Sequence, residues 1–136
     1  MTDYAPIAGR LSALAEADPQ NEVCGFVVAG ARGDLEVIPV RNVAGEGGRL
    51  FEADPAAHLA LSRRLRREGG RIAAVFHSHV DGPARLSAVD LAGAVLGNGP
   101  ALPGVDQIVA ALESGKIKEI RVFAWTGSTF AAVAEL

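Results

Sequence analysis

Ile72-Ala73-Ala74-Val75-Phe76-His77-Ser78-His79 is the stretch that decides how this chain folds. Its unbroken apolar start predicts a strand buried on both faces, because a strand with one face in water alternates apolar and polar residues. The two histidines lie at the far end of that strand. Side chains alternate faces, so His77 and His79 point the same way with Cα atoms about 6.6 Å apart, and both rings can reach one metal ion. Ser78 points to the opposite face.

Ser87-Ala88-Val89-Asp90 follows the histidines after an interval of seven residues. The interval contains Gly-Pro and indicates a loop, whereas residues 89–96 predict a helix that Ser87 opens and Gly97-Asn98-Gly99 ends. Two imidazoles and the Asp90 carboxylate around one Zn²⁺ leave a fourth position for water. That is the pattern of a catalytic zinc site, in which the pKa of the water falls to about 7. We therefore predict a metallohydrolase.

Each half of this pattern also has an ordinary interpretation. Ser87-x-x-Asp90 is typical of a capping box at a helix start, and an acidic residue in the first turn suits the helix dipole. A lone His-x-His is more often a pair of structural histidines than a metal site. The combination favours metal, because both histidines end a buried strand beside a loop, where polar groups without partners are costly to bury.

Two other classes of zinc enzyme share parts of the pattern. His77-x-His79-x-Asp81 matches the start of the metallo-β-lactamase motif, but Gly82 stands where that motif has histidine, and the chain has only 3 His in all. Zinc deaminases of nucleobases need Cys-x-x-Cys and His-x-Glu, whereas this chain has 1 Cys and no His-x-Glu. We discount both classes.

The complete pattern resembles the JAMM (MPN+) metalloprotease family, also called the JAB domain, in its small bacterial type. The family motif is a distant Glu, then His-x-His, seven residues and Ser-x-x-Asp, which here are Glu22, His77-Ser78-His79 and Ser87-Ala88-Val89-Asp90. Residues 21–30 are similar to the first strand of the family, and the resemblance runs from about residue 5 to the C-terminus. In this chain Val80 and Leu86 replace two prolines of the family loop, and neither is a metal ligand.

The resemblance implies a role for each motif residue. His77, His79 and Asp90 would hold one Zn²⁺ per chain, Glu22 would be the general base, and Ser87 would donate a hydrogen bond to the oxyanion. Glu22 is selected by the resemblance alone, since several other glutamates are equally available from the sequence and most glutamates are solvated.

The order of predicted elements agrees with an α/β (α+β) fold of the MPN/JAB1-like type, a mixed β-sheet packed with helices in a cytidine-deaminase-like architecture. Strands that occur before, between and after helices suggest such a sheet. The predicted helices cover residues 5–17, a segment from Asp54-Pro55 to Gly69-Gly70, and 89–96, and the other predicted strands are near 23–30, near 35–43, and at 106–113, 117–125 and 129–134.

Composition limits the remaining possibilities. With 136 residues and 49% hydrophobic content, the chain predicts a single JAMM/MPN+ domain over 1–136. A net charge of −3 argues against a nucleic-acid partner. The apolar runs are shorter than the roughly 18 residues that a bilayer needs, so we expect no membrane contact and a cytoplasmic location. Arg63-Arg64-Leu65-Arg66-Arg67, late in the second helix, is interpreted as a solvated face.

The resemblance also implies a substrate class. Family members cut after the C-terminal Gly-Gly of ubiquitin or its relatives, so the expected partner is a ubiquitin-like or sulfur-carrier protein with a Gly-Gly tail, and a homodimer is left open. Our leading hypothesis is a zinc peptidase that trims residues from such a tail. The alternatives are an isopeptidase that acts on lysine-linked conjugates and a non-catalytic MPN binding module. The loops at 44–49 and 97–104 are the candidates to shape a substrate channel.

Overall fold

The computed structural model describes residues 1–44 and 51–136. A short 3₁₀ turn, Ala5–Ile7, leads into the first helix. The helices are α1 (Ala8–Ala17), α2 (Pro55–Glu68) and α3 (Ala88–Ala94), and the strands are β1 (Cys24–Ala29), β2 (Leu35–Val40), β3 (Arg71–Val80), β4 (Val95–Leu96), β5 (Gly99–Pro100), β6 (Asp106–Glu113), β7 (Lys116–Trp125) and β8 (Phe130–Glu135). Within the described ranges, no helix is both long and apolar enough to cross a lipid bilayer.

Six of the strands form one mixed sheet in the order β2-β1-β3-β6-β7-β8. β3 and β6 pair in parallel, and the other neighbours pair antiparallel. β3 therefore lies inside the sheet with a strand on each side, as its unbroken apolar run predicts. The predicted mixed α+β fold is confirmed.

The two faces of β3 pack against different parts of the molecule. Ala74 and Phe76 belong to the apolar cluster that also contains Leu11 and Ala15 of α1. Val75 belongs to a second cluster with Leu61 and other residues of α2. Because side chains alternate along a strand, the histidines of β3 lie on the same face as Val75, the face that α2 covers.

The second helix begins and ends where the sequence predicts. The Asp54 carboxylate accepts a hydrogen bond from the backbone N–H of Ala56 at 3.0 Å, and Pro55 follows as the first helical residue. Gly69 ends the helix in the left-handed conformation at φ +80°. Of the arginine cluster, Arg64 forms ion pairs with Glu36 and Glu68 across the surface.

The prediction for the third helix is wrong at its C-terminal end. The helix stops at Ala94 rather than residue 96, and Val95–Leu96 pairs antiparallel with Gly99–Pro100. Gly97, with φ +64°, is the first residue of a two-residue turn, and glycine at that position suits a tight hairpin. The turn chemistry thus prevails over the apolar run that predicts helix.

The second predicted strand is also shorter, since it ends at Val40 instead of residue 43.

Tyr4 connects the N-terminal segment to the parallel strands β3 and β6 by hydrogen bonds. Its side chain is 2% exposed, and its hydroxyl donates to a carboxylate oxygen of Asp106 at 2.7 Å and lies 3.0 Å from the carbonyl oxygen of Ala73. Burial and the hydrogen bond to Asp106 raise the pKa of Tyr4 above its ordinary value. The hydroxyl therefore stays protonated and connects positions 102 residues apart in the sequence.

We predict that Tyr4→Phe lowers the free energy of unfolding by about 1.5–3 kcal/mol, because a half-buried carboxylate oxygen of Asp106 and the buried carbonyl of Ala73 lose a donor. Urea unfolding followed by circular dichroism measures the change. Ser12→Ala is the matched control, since no hydrogen bond joins that hydroxyl to the described residues, and it should change stability by no more than about 0.5 kcal/mol. Equal stability of Tyr4→Phe and the native protein would contradict the prediction.

Candidate metal centre

Three side chains from β3 and α3 converge on one point. His77 Nε2 lies 3.0 Å from His79 Nε2 and 3.2 Å from Asp90 Oδ2, and His79 Nε2 lies 3.0 Å from the same Asp90 oxygen. Tetrahedral ligands at about 2.0–2.1 Å from a zinc ion are roughly 3.3 Å apart. The three atoms thus have nearly the spacing of ligands around one small cation, and this group could hold a metal ion.

The protonation of His79 shows why a cation suits this point. Its Nδ1 lies 2.7 Å from the carbonyl oxygen of Pro83, which can only accept, so Nδ1 carries the hydrogen. In the neutral ring, Nε2 then presents a lone pair toward the Asp90 carboxylate oxygen. Lone pairs that face each other at this distance repel unless a proton or a metal lies between them. Support of a histidine ligand through its other nitrogen is the usual arrangement at protein metal sites.

His77 is held by packing. Its side chain is fully buried, and the ring of Phe51 stacks on it with the ring centroids 4.0 Å apart. Among the described residues, His77 Nδ1 has no hydrogen-bond partner. Within residues 1–44 and 51–136, the polar contacts of this buried ring are therefore with His79 and Asp90, through Nε2.

The pKa shifts agree with a metal-binding donor set. Burial lowers the pKa of His77. For Asp90, burial acts to raise the pKa, but the hydrogen bonds with His77 and His79 prevail and hold it below its usual range. For His79, burial lowers the pKa, but the hydrogen bonds with Asp90 and the Pro83 carbonyl prevail and raise it. A metal ion would displace the proton that His79 otherwise shares with the carboxylate.

Ser87 and Asp90 also form the capping box that the sequence allows. The Ser87 hydroxyl oxygen accepts from the Asp90 N–H at 3.1 Å, and Asp90 Oδ2 accepts from the Ser87 N–H at 2.9 Å. The ordinary and the functional interpretations of this motif are thus compatible. The cap uses the Ser87 hydroxyl only as an acceptor, so its O–H remains available to donate, and the side chain is exposed.

Glu22 lies beside this group, in the segment that precedes β1. It is 5% exposed, and it is the only buried glutamate among the residues described. Glu22, His79 and Ser87 line one cleft. Burial separates Glu22 from the other acids, and this signal is not visible in the sequence.

The position of Glu22 depends on β3 itself. Ser78, between the two histidines, points to the opposite face as predicted. Its hydroxyl accepts a hydrogen bond from the Val23 N–H at 2.9 Å, and its own N–H donates to the Val23 carbonyl at 2.9 Å. The Asn42 side chain also donates to the carbonyl of Glu22. The strand that carries the histidines thus fixes the residue next to the proposed base.

Cys24 is a core residue. Its side chain is 1% exposed, and burial together with the nearby charge of Glu22 raises the pKa of its thiol to about 11. A thiol in this state is a poor nucleophile at neutral pH. Cys24 also does not line the cleft that Glu22 and His79 share.

Sequence reasoning misses the groups that support the histidines. Phe51 stacks on His77 and the Pro83 carbonyl accepts from His79. In a sequence, neither phenylalanine nor proline indicates a metal site. The Gly-Pro pair in the loop predicts only a turn. Of the two loops expected to shape a substrate channel, the one at 97–104 borders a pocket through Ala101 and Leu102. The other, at 44–49, lies outside the described residues except for Ala44.

The proteins similar to this chain include one curated relative and two solved structures. A probable TtuB-protein conjugate cleaving protease from Thermus thermophilus is 41% identical over 63 residues, which cover 46% of this chain and 43% of the relative. The match thus spans less than half of that protein. A solution structure from Desulfitobacterium hafniense has a TM-score of 0.72 at 24% identity and covers 95% of this chain and 86% of its own. One from Salinibacter ruber has a TM-score of 0.64 at 21% identity, with coverages of 98% and 89%. These two likenesses show the fold alone.

A family model described as prokaryotic homologs of the JAB domain matches residues 5–125. That range contains both histidines, Glu22, Ser87 and Asp90, together with seven of the eight strands. The resemblance found in the motif is confirmed at the level of the family. Because the match covers most of its 136 residues, this chain belongs to the prokaryotic JAB-domain family.

Proposed function

We propose that the protein is a zinc-dependent peptidase that hydrolyses the peptide or isopeptide bond after the C-terminal tail of a ubiquitin-like sulfur-carrier protein. The observation that carries this proposal is the convergence of His77 Nε2, His79 Nε2 and Asp90 Oδ2 within 3.0–3.2 Å of one another. A JAB-type peptidase is supported by the family and by a relative that is named as a protease.

His77, His79 and Asp90 would hold the zinc ion. When bound, such an ion acts as a Lewis acid and lowers the pKa of water to about 7. One carboxylate and two imidazoles leave room in a tetrahedral set for one further group. The rest of the chemistry falls to residues that line the cleft.

Glu22 would move the proton. As general base it would take a proton from the attacking water, and it would then give that proton to the leaving amine. Its place in the wall of the cleft, together with His79 and Ser87, supports this role. Ser87 would donate its unused O–H to the oxyanion that develops on the carbonyl, a contact worth roughly 10²–10³ in rate in other hydrolases.

A second candidate is a true deconjugating isopeptidase that acts on a lysine side chain. The name of the Thermus thermophilus relative favours it, since that protein is called a conjugate cleaving protease. A carrier with a linear C-terminal extension and the same carrier joined to a lysine side chain form the deciding pair of substrates. Faster cleavage of the linear substrate supports trimming, and faster cleavage of the lysine-linked one supports deconjugation.

The metal site is tested by removal of one ligand. We predict that His79→Ala weakens zinc affinity by at least about 100-fold, because changes to groups that merely support a ligand already cost roughly 10–100-fold. Isothermal titration calorimetry with a competing chelator measures the affinity. His58→Ala is the matched control, because it removes the one histidine outside the group, and it should still bind one zinc ion. Native affinity in His79→Ala would overturn the assignment.

The base is tested by a change that keeps its shape. We predict that Glu22→Gln retains zinc and loses about 10²–10⁴ in kcat, because the amide cannot accept a proton at neutral pH. Glu135→Gln, at an exposed position of the edge strand β8, should keep native kcat. A Glu22→Gln protein that cleaves an extended carrier at the native rate would refute the role of Glu22. If zinc-loaded native protein leaves every such carrier uncut, the peptidase proposal fails as a whole.

A further inference from the structure

A second cavity borders the metal-binding group at Asp90. Asp90 forms part of its wall, whereas His79 lines the cleft, and the two spaces share no lining residue. Since the base and the oxyanion donor occupy the cleft, the other space is left for a part of the substrate that does not react.

The walls of this cavity are apolar. Phe26 of β1, Val75 of β3, Ala94 of α3 and Leu102 surround it, and its volume is about 230 Å³. Pockets that hold whole small molecules measure roughly 300–1,000 Å³, so this one suits a single side chain. Val89 stands at the wall and is 58% exposed, which leaves an apolar rim at the entrance.

One polar group in the cavity has no partner. Gln107 lines the cavity, is only 6% exposed, and its carboxamide forms no hydrogen bond with any described residue. The register Val75↔Gln107 and His77↔Val109 places Gln107 on the sheet face of the histidines. The polar atoms of the carboxamide are not enclosed by the described residues, so they open to the cavity, where the polar group of a bound ligand can pair with them.

We propose that this cavity is a specificity pocket for an uncharged substrate side chain that has an apolar stem and an amide end, as glutamine has, with Gln107 as its hydrogen-bond partner. The apolar walls would cover the stem. The Gln107 carboxamide both donates and accepts, so another carboxamide satisfies it completely. The inference rests on the proposed peptidase function, because only a substrate cut at the neighbouring site gives the pocket a role in selection.

Charged ends fit this pocket poorly. A carboxylate would meet the negative charges of Asp90 and Glu52, which both line the cavity. An ammonium group would be attracted by the same two carboxylates, but it only donates hydrogen bonds and would leave the NH₂ group of Gln107 without an acceptor. A purely aliphatic end would leave the carboxamide of Gln107 unpaired. The amide end avoids all three costs.

The test measures binding and needs no cleavage. N-acetylglutaminamide and N-acetylleucinamide are titrated into zinc-loaded, isotope-labelled protein, and NMR follows the side-chain NH₂ signals of Gln107 and the amide of Ala94. We expect the glutamine probe to bind about tenfold more tightly than the leucine probe, which corresponds to one hydrogen bond of about 1.4 kcal/mol. Equal affinity of the two probes would overturn the proposal.

Gln107→Leu should abolish or reverse this preference, whereas Gln20→Leu, which changes the only other glutamine at an exposed loop position, should keep it. If Gln107→Leu fails to fold, Gly93→Leu replaces it. Gly93 lines the pocket, and a Cβ there meets no atom within 4 Å, so the larger side chain can fill the space and should prevent probe binding. Unchanged preference in Gln107→Leu, or native probe binding in Gly93→Leu, would refute the pocket.

The two proposals fail separately. Probe selection by Gln107 in a protein that cuts no carrier supports the pocket and sinks the peptidase function. Cleavage of a carrier by a protein that shows no preference for the amide probe supports the peptidase function and refutes the pocket.

Discussion

The alternation of side chains along β3 is the constraint on which the rest of the site depends. Because β3 is paired on both edges and covered on both faces, its twist and register are fixed, and His77 and His79 must emerge on one side. Ser78 emerges on the other side and binds the backbone next to Glu22. One strand therefore sets the positions of two proposed ligands and of the proposed base. A slip of β3 by one residue would turn His77, Ser78 and His79 to the opposite faces of the sheet.

Asp90 both caps the start of α3 and serves as a proposed metal ligand. One of its oxygens accepts from the Ser87 N–H and also faces both histidine rings. A metal ion would be added to a carboxylate that the helix cap already holds in place, so little ordering would be needed at the moment of binding. The short helix α3 thus holds the Asp90 carboxylate in a fixed position. Its seven residues would be marginal without the cap and the packing of Ala94.

Much of this could be predicted from the sequence, for physical reasons. The apolar run before His77 and the glycine and proline boundaries of α2 encode local structure directly. The proposed metal ligands follow from strand alternation and the helix cap. Glu22 does not, because its neighbour Val23 is held by Ser78, which is 55 positions away in the sequence, and only a family resemblance selects it. The end of α3 and the pocket around Gln107 depend on turn chemistry and on tertiary packing, which no periodicity records.

The most direct measurement is a crystal structure of the zinc-soaked protein with anomalous diffraction at the zinc edge. The geometry predicts one peak per chain, at about 2.0–2.1 Å from His77 Nε2, His79 Nε2 and the Asp90 carboxylate, with the three side chains little moved. A peak at other residues, or none among these three in excess zinc, would contradict it.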